Sequence, residues 1–262
     1  MQACSGNMRE VSIRADRQRQ TEYRVAVVQQ YRFLAEYLQD LSDLLGRRLP
    51  QTNPRFSPEV LIFGNRPEAE NGDRFSMFAG TMCRYYVLLC DGMGTGMGAV
   101  QEGNTAIDIL RRLLMAGYPA EHALRSLNSI CALRERAGAV TVDLLEIQLD
   151  TGKATLYKWG APAGYLVTRT GAEKIGIAGP PPGLSVTDYR ETADKLSLRR
   201  GETLVLVSDG IGEEEALNCC LRFAGQAPGE LANALLLCGK DAGEDDATVI
   251  TVRLEPVFPD LS

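Results

Sequence analysis

Four aspartates lie in short polar turns beside apolar segments of strand length. Asp91 directly follows the apolar run Tyr85–Cys90, and Asp209 follows Leu204–Val207 after a single serine. Taken alone, each aspartate is most simply interpreted as a turn or capping residue, because Asp-Gly turns are common. Their shared position at strand ends calls for a further explanation. The four aspartates are Asp73, Asp91, Asp209 and Asp245.

Carboxylates at neighbouring strand ends repel one another unless a cation holds them together. Their hard oxygen atoms are ligands that suit Mg²⁺ or Mn²⁺. A glycine follows two of the aspartates, Gly92 after Asp91 and Gly210 after Asp209. A glycine at such a position lets a backbone carbonyl approach a metal ion closely. The four aspartates together therefore predict a site for two divalent metal ions.

The composition is that of a globular protein, with 45% apolar and 24% charged residues among 262. The net charge of −6 argues against nucleic acid as the main partner, because phosphate binding requires a basic surface. No apolar stretch is long enough to cross a bilayer, and the N-terminus has no apolar signal core. Seven scattered cysteines without a CxxC pair indicate reduced thiols. We expect a cytoplasmic chain, or the soluble part of a membrane-anchored protein.

The apolar periodicity predicts an α+β fold, in which helices cover the outside of a β-sandwich. Two amphipathic helices are predicted at about residues 99–116 and 119–135, and a third near Glu230–Leu237. The turn Asp150-Thr151-Gly152 predicts a hairpin between the strands on either side of it. The predicted strands are Val60–Phe63, Phe75–Ala79, Tyr85–Cys90, Val140–Leu149, Lys153–Trp159, Tyr165–Thr168, Leu204–Val207 and Ala247–Leu254.

The first fifty residues differ from the rest, since they contain arginine but no lysine and little glycine. One long amphipathic helix is predicted over residues 8–45, with Gly46 as the stop signal. Its apolar stripe either packs on the following domain or pairs with a second helix, as a dimer or a regulatory lever. The chain is thus divided into an N-terminal helix, residues 1–50, and one domain, residues 55–255. The stripe consists of Val27, Tyr31, Leu34, Leu38, Leu41 and Leu45.

Four motifs contain the aspartates, in the order Asn71-Gly72-Asp73-Arg74-Phe75-Ser76-Met77, Cys90-Asp91-Gly92-Met93-Gly94-Thr95-Gly96-Met97-Gly98-Ala99, Ser208-Asp209-Gly210-Ile211 and Asp245-Asp246-Ala247-Thr248-Val249. This series resembles the phosphatase domain of the stage II sporulation protein E family, within the PP2C-like (PPM) metal-dependent phosphatases. The resemblance covers about residues 55–255, and the turns at 160–163 and 182–184 are similar as well. A match of all four motifs in order is highly specific.

The resemblance implies a PP2C-like sandwich that binds two Mn²⁺ or Mg²⁺ ions. It implies that Asp91 bridges both ions and that the carbonyl of Gly92 binds one of them. In the same way, Asp73, Asp209 and Asp245 are implied to complete the ligand set. The implied reaction is an in-line attack of an activated water on phosphorus, without a phosphoenzyme intermediate.

The resemblance further implies a protein serine phosphatase that acts in the activation of sporulation sigma factors. Its substrate would be a phosphorylated anti-anti-sigma factor. The two helices after Asp91 would act as a switch, and a homodimer would form through these helices or through the N-terminal helix. The sequence departs from the family pattern at Ala247, where methionine is usual, and at Gly212, where a bulkier residue is frequent. Neither change removes an implied ligand.

Other enzyme classes fit the sequence poorly. The glycines that follow Asp91 lead into two successive helices, whereas a dinucleotide-binding loop leads through one helix to a second parallel strand. No cysteine has an arginine six positions later, as a cysteine phosphatase would require. A Ser-His-Asp hydrolase would depend entirely on His122, the only histidine, and no nucleophile elbow is present.

Two alternatives remain open within the same fold. One is a binding module that is non-catalytic or that needs a partner to become active. The other is a stress-response phosphatase with a different target. Metal binding distinguishes an inert module from an enzyme, because a module has no need of the ions.

Overall fold

The computed structural model describes residues 53–66, 71–92, 97–133, 140–176, 178–184, 193–240 and 246–257, together with scattered residues between 17 and 39. Ten strands form in this part of the chain. They are β1 (Phe56–Gly64), β2 (Asp73–Ala79), β3 (Arg84–Gly92), β4 (Val140–Gln148), β5 (Lys153–Trp159), β6 (Gly164–Val167), β7 (Ala172–Ile175), β8 (Ala193–Ser197), β9 (Thr203–Val207) and β10 (Thr248–Pro256).

The strands form two five-stranded sheets. The first sheet has the order β1-β10-β9-β6-β7, and the second has the order β2-β3-β4-β5-β8. Every pair of neighbouring strands is antiparallel. An apolar core between the sheets contains Val87 and Leu89 of the second sheet and Leu206 and Ile250 of the first.

Helices cover the outer face of each sheet. The helices α1 (Met97–Met115) and α2 (Ala120–Ala132) pack on the second sheet, where Leu110 and Leu127 lie against Leu144. The helices α3 (Glu213–Arg222) and α4 (Pro228–Lys240) pack on the first sheet. The result is a four-layered αββα sandwich, which confirms the predicted fold class.

Both faces of the central strands are buried, and this explains their continuous apolar sequences. In β4, Val140, Val142 and Leu144 face the helices, whereas Leu145 and Ile147 face the first sheet. Successive side chains of a strand point to opposite faces, so a strand buried on both sides reads as an unbroken apolar run. The predicted strands β3, β4 and β9 are confirmed for this reason, as is the hairpin that joins β4 and β5.

Three elements were not predicted from the sequence. The strands β7 and β8 are short, lie at the sheet edges and carry charged residues at exposed or partly exposed positions. The helix α3 buries only Ala216, Cys219 and Cys220 among its ten residues. Small side chains and cysteines produce a weak apolar periodicity, and edge strands need little apolar surface.

The N-terminal helix can be compared with the structure only in part. All described residues between 17 and 39 are helical, and the rest of the predicted range 8–45 lies outside the described residues. Of the predicted apolar stripe, Tyr31, Leu34 and Leu38 are exposed. Within the described part of the chain, no helix is both long and apolar enough to span a membrane.

Replacing Leu144 with alanine tests the core between the second sheet and its helices. Leu144 is fully buried, so Leu144→Ala should lower the free energy of unfolding by about 2–5 kcal/mol. The matched control is Leu237→Ala on α4, where the leucine is 62% exposed and the loss should stay within about 0.5 kcal/mol. Urea unfolding of both variants measures the difference, and equal losses would contradict the described packing.

Candidate metal centre

The hairpin of β2 and β3 places two of the predicted ligands side by side. Asp73, the first residue of β2, is the register partner of Asp91 near the end of β3. Directly opposite residues of an antiparallel pair project to the same face, and like charges in this arrangement repel. Asp73 is only 2% exposed, and Asp91 is partly buried. The hairpin therefore holds two carboxylates together where water is largely excluded.

The carboxylate of Asp73 lacks a hydrogen-bond partner among the described residues. Both of its oxygens are buried and accept no hydrogen bond there. Burial is the main cause that raises the pKa of Asp73, and the charges of Asp209 and Asp246 raise it further. The hydroxyls of Thr248 and Ser208 lower this pKa, although neither reaches hydrogen-bonding geometry with the carboxylate. A buried carboxylate in this position is best satisfied by a cation.

Asn71 fixes the backbone on the N-terminal side of Asp73. The amide N–H of Asp73 donates to Oδ1 of Asn71 at 2.8 Å, which closes a local side-chain turn. The Nδ2 group of Asn71 donates to Oγ1 of Thr248 at 3.1 Å. This buried amide joins the start of β2 to the start of β10, so that residues 177 positions apart in sequence form one wall of the site.

The ends of β9 and β10 form the opposite wall. The amide of Ser208 donates to the carbonyl of Thr248 at 3.0 Å, and the amide of Thr248 donates to Oγ of Ser208 at 2.8 Å. Asp209 follows Ser208 directly and is exposed. The hydrogen bonds from Asn71 to Thr248 and from Thr248 to Ser208 connect this segment to the turn before Asp73, and the charge of Asp209 raises the pKa of Asp73.

Asp246 has a structural role that sequence reasoning did not identify. Its Oδ2 accepts a hydrogen bond from the amide of Gly72 at 2.6 Å, and its Oδ1 pairs with Nη1 of Arg66 at 2.9 Å. A Cβ added at Gly210 would lie 2.1 Å from the carbonyl oxygen of Asp246. Asp246 thus connects three loops at the rim of the site. In the sequence, the only indication of a role for Asp246 is its position next to Asp245. Its partners Gly72 and Arg66 are distant in sequence, so the structure is needed to identify them.

The structure describes Asp73, Asp91, Gly92 and Asp209 of the predicted ligand set. Asp245 lies outside the described residues. Over the described ranges, no three Asp, Glu, His or Cys side chains form a group that could hold a metal ion. The unsatisfied carboxylate of Asp73, opposite Asp91 and near Asp209, nevertheless fits a divalent cation.

The beginning of α1 packs directly on the Asp91-Gly92 segment. A Cβ added at Gly92 would lie 2.1 Å from the carbonyl oxygen of Ala99, a backbone atom with little room to move. Gly92 is buried at the end of β3. The absence of a side chain at this position therefore allows the helix to approach the strand that carries Asp91.

Comparisons with known proteins agree with this architecture. The stage II sporulation protein E (SpoIIE) family model matches residues 83–255, more than half of the chain. Stage II sporulation protein E of Bacillus subtilis (strain 168) is 28% identical over 203 residues, which cover 72% of this chain and 24% of the relative. The chain therefore spans about a quarter of the length of this curated relative.

Two solved structures share the fold. The PP2C phosphatase domain of SpoIIE from Bacillus subtilis, with a fragment of its regulatory domain, has a TM-score of 0.69 at 24% identity and covers 79% of this chain and 66% of that chain. RsbX in complex with magnesium has a TM-score of 0.60 at 18% identity and covers 78% of this chain and 100% of that chain. These likenesses establish a PP2C fold.

An alanine at position 92 tests the contact between β3 and α1. Gly92→Ala forces the first turn of α1 away from the strand, and overpacking of this kind lowers the free energy of unfolding by about 1–3 kcal/mol. The matched control is Gly98→Ala in the same helix, where an added Cβ meets no atom within 4 Å. That variant should keep its stability or gain up to about 1 kcal/mol. Thermal unfolding compares the two, and equal stability would contradict the close approach.

Proposed function

Because the chain belongs to the stage II sporulation protein E family, we propose that it is a metal-dependent protein serine/threonine phosphatase. One observation carries the proposal, namely the buried carboxylate of Asp73, which has no hydrogen-bond partner in the described chain and is opposite Asp91. Stability alone does not explain carboxylates at this position, because burying an unpaired charge costs free energy of folding. The PP2C fold of the chain supports the same activity.

The residues that would hold two Mn²⁺ or Mg²⁺ ions are Asp73, Asp91, Asp209, Asp245 and the carbonyl of Gly92. When bound, the ions supply Lewis-acid activation of water and neutralise charge on the phosphate. The protein contributes a ligand set of fixed shape. Because β2 and β3 are hydrogen-bonded neighbours, Asp73 and Asp91 keep their separation without reorganisation during turnover.

Contacts behind the ligands restrict their motion. Asn71 holds the amide of Asp73, and Asp246 holds the amide of Gly72 next to it. The second oxygen of Asp246 pairs with Arg66, which is 40% exposed at the rim. The loop before β2 is therefore bound at two successive amides. Hydrogen bonds from residues behind the ligands orient the ligands in metal sites in general.

We propose phosphoserine on an anti-anti-sigma factor as the substrate, in the control of sporulation sigma factors. The proposal rests on the family match and on the sporulation protein of Bacillus subtilis among the relatives. A folded protein substrate suits an open site, and Asp209 is exposed at the surface. A stress-response phosphatase would share the site and differ only in its target.

We also propose that residues 1–50 form a regulatory and dimerisation helix for a phosphatase domain at residues 55–255. An apolar groove lies between the N-terminal helical residues and the helices α1 and α2, with Val27 on one side and Ile109 and Ile130 on the other. Since α1 also packs on Gly92, a shift of this helix pair would move the backbone next to Asp91. The helix pair would act as the switch, and the exposed side chains of Tyr31 and Leu34 would contact a second copy.

The asparagine variant of Asp91 tests the catalytic proposal. Substitution of a residue that only orients a metal ligand typically lowers metal affinity or activity by about 10–100-fold. Asp91→Asn alters a proposed direct ligand, so it should reduce Mn²⁺-dependent hydrolysis by about 100-fold or more. Hydrolysis of an aryl phosphate and of a phosphoserine protein is measured with and without millimolar Mn²⁺. The control is Asp108→Asn, an exposed aspartate on α1 that should keep full activity. A folded wild type that is inactive with every metal ion would indicate a binding module or an enzyme that awaits its partner.

Deletion of residues 1–50 tests the regulatory proposal. Couplings between a regulatory element and a site are commonly about 5–150-fold, and we expect the turnover with saturating Mn²⁺ to change within this range. The substitution Leu34→Ser should reproduce part of the change, whereas Arg32→Ser on the adjoining helix face should not. Full turnover of the intact chain with metal alone, together with no effect of the deletion, would refute regulation by this segment.

A further inference from the structure

A buried ion pair lies inside the sandwich, beside the candidate metal centre. Asp143 of β4 and Lys158 of β5 are register partners, and Nζ of Lys158 donates to Oδ1 of Asp143 at 2.5 Å. Both side chains are 0% exposed. The neighbouring rung of the same face, Leu145 opposite Leu156, is entirely apolar. The pair therefore interrupts a hydrophobic core at one particular level.

This level is one rung away from the predicted ligands Asp73 and Asp91, on the same face of the sheet. Asp73 pairs with Asp91, and Asp143 pairs with Leu89, two residues before Asp91 on the same face of β3. Asp91 and Asp143 are thus diagonal neighbours, for which Cβ atoms are about 7–8 Å apart or somewhat less. Four adjacent strands of one sheet each contribute a charged residue to a single inner face. In strand order these residues are Asp73, Asp91, Asp143 and Lys158.

Only one of the two carboxylate oxygens of Asp143 is paired within the described protein. Lys158 binds Oδ1, whereas Oδ2 is buried and has no hydrogen-bond partner among the described residues. Burial raises the pKa of Asp143, and the charge of Lys158 opposes this effect. Asp143 also lies between Lys158 and Asp91 in the sheet. The carboxylate is thus held in place through one oxygen, while the other is buried without a hydrogen-bond partner in the described chain.

The position of Lys158 is itself tightly determined. A Cβ added at Gly176 would lie 2.2 Å from Cδ of Lys158, so the glycine leaves just enough space for the lysine side chain. The carbonyl of Lys158 accepts a hydrogen bond from the amide of Gly179 at 2.9 Å. The ammonium group therefore has little freedom to leave Asp143.

Stability alone does not explain such a pair. Replacing a buried ion pair with apolar residues of similar volume is frequently neutral or stabilising, because desolvation offsets the attraction of the charges. Removing one partner only is strongly destabilising. The Asp143–Lys158 pair lies on the face that carries the predicted ligands, and one oxygen of Asp143 has no hydrogen-bond partner in the described chain. These two features point to a role in the candidate metal centre.

We propose that Asp143 is a positioning residue of the metal centre, whose carboxylate, diagonal to Asp91 on the same face, maintains the orientation of Asp91 and the cation affinity of the site. Lys158 holds Asp143 in the required orientation. This inference rests on the proposed function, because it assigns the pair to the divalent-cation site of the phosphatase. Outer-shell carboxylates act in this way in many metal proteins.

The test removes both charges together. Asp143→Leu combined with Lys158→Met keeps the volume and avoids an unpaired charge, so the variant should unfold near the wild-type temperature. Titration calorimetry with Mn²⁺ should show a 10–100-fold weaker affinity. The matched control is Leu145→Met with Leu156→Met, the next rung on the same two strands. Its Mn²⁺ affinity should equal that of the wild type.

Asp143→Asn is measured in parallel, because it keeps an acceptor for Lys158 and removes only the charge. A loss of Mn²⁺ affinity in either folded variant, without a loss in the control, supports the proposal. Affinities within about twofold of the wild type would overturn it while leaving the phosphatase activity intact. A failure of both variants to fold would also overturn it, since the pair would then be structural. A wild type that binds no Mn²⁺ and hydrolyses no phosphate would overturn the proposed function as well.

Discussion

The placement of the carboxylates of Asp73 and Asp91 side by side is the constraint on which the site depends. Antiparallel pairing makes them direct neighbours, and burial of Asp73 removes most of the water that would screen the charge. The hairpin must therefore be held by other parts of the fold. The helices α1 and α2 cover one face of the sheet that contains β2 and β3, and the first sheet covers the other face, so that β3 is fixed from both sides. The outer layers thus supply the rigidity that two adjacent carboxylates require.

A cation at this site would connect function with stability. A ligand that binds only the folded chain stabilises it by an amount that grows with concentration relative to the dissociation constant. Without the cation, the carboxylate of Asp73 is a buried charge without a partner in the described chain. The wall formed by Asn71, Thr248 and Ser208 fixes the backbone on either side of this charge by hydrogen bonds. Hydrogen bonds within the chain itself therefore hold the polar wall of the site in place.

The sequence predicted most of this architecture because the central strands are buried on both faces. Long apolar runs such as Tyr85–Cys90 permit few other interpretations, and a carboxylate at the end of such a run is conspicuous. The edge strands β7 and β8 and the helix α3 were missed because partial burial requires no such pattern. The role of Asp246 depends on Gly72, 174 positions away, and no local pattern contains that contact.

The pair of Asp143 and Lys158 shows a different limit of sequence reasoning. A charged residue within a strand is ordinarily read as facing water, and Asp143 stands between Val142 and Leu144, which fits that reading. Only the register of β3, β4 and β5 shows that it faces the other sheet, opposite Leu89 and one rung from Asp91. The inner face of this sheet is apolar at Leu145 and Leu156 and charged one rung nearer the predicted ligands. Since a uniform apolar face would pack equally well, the change of chemistry along two strands follows the position of the site rather than the needs of the core.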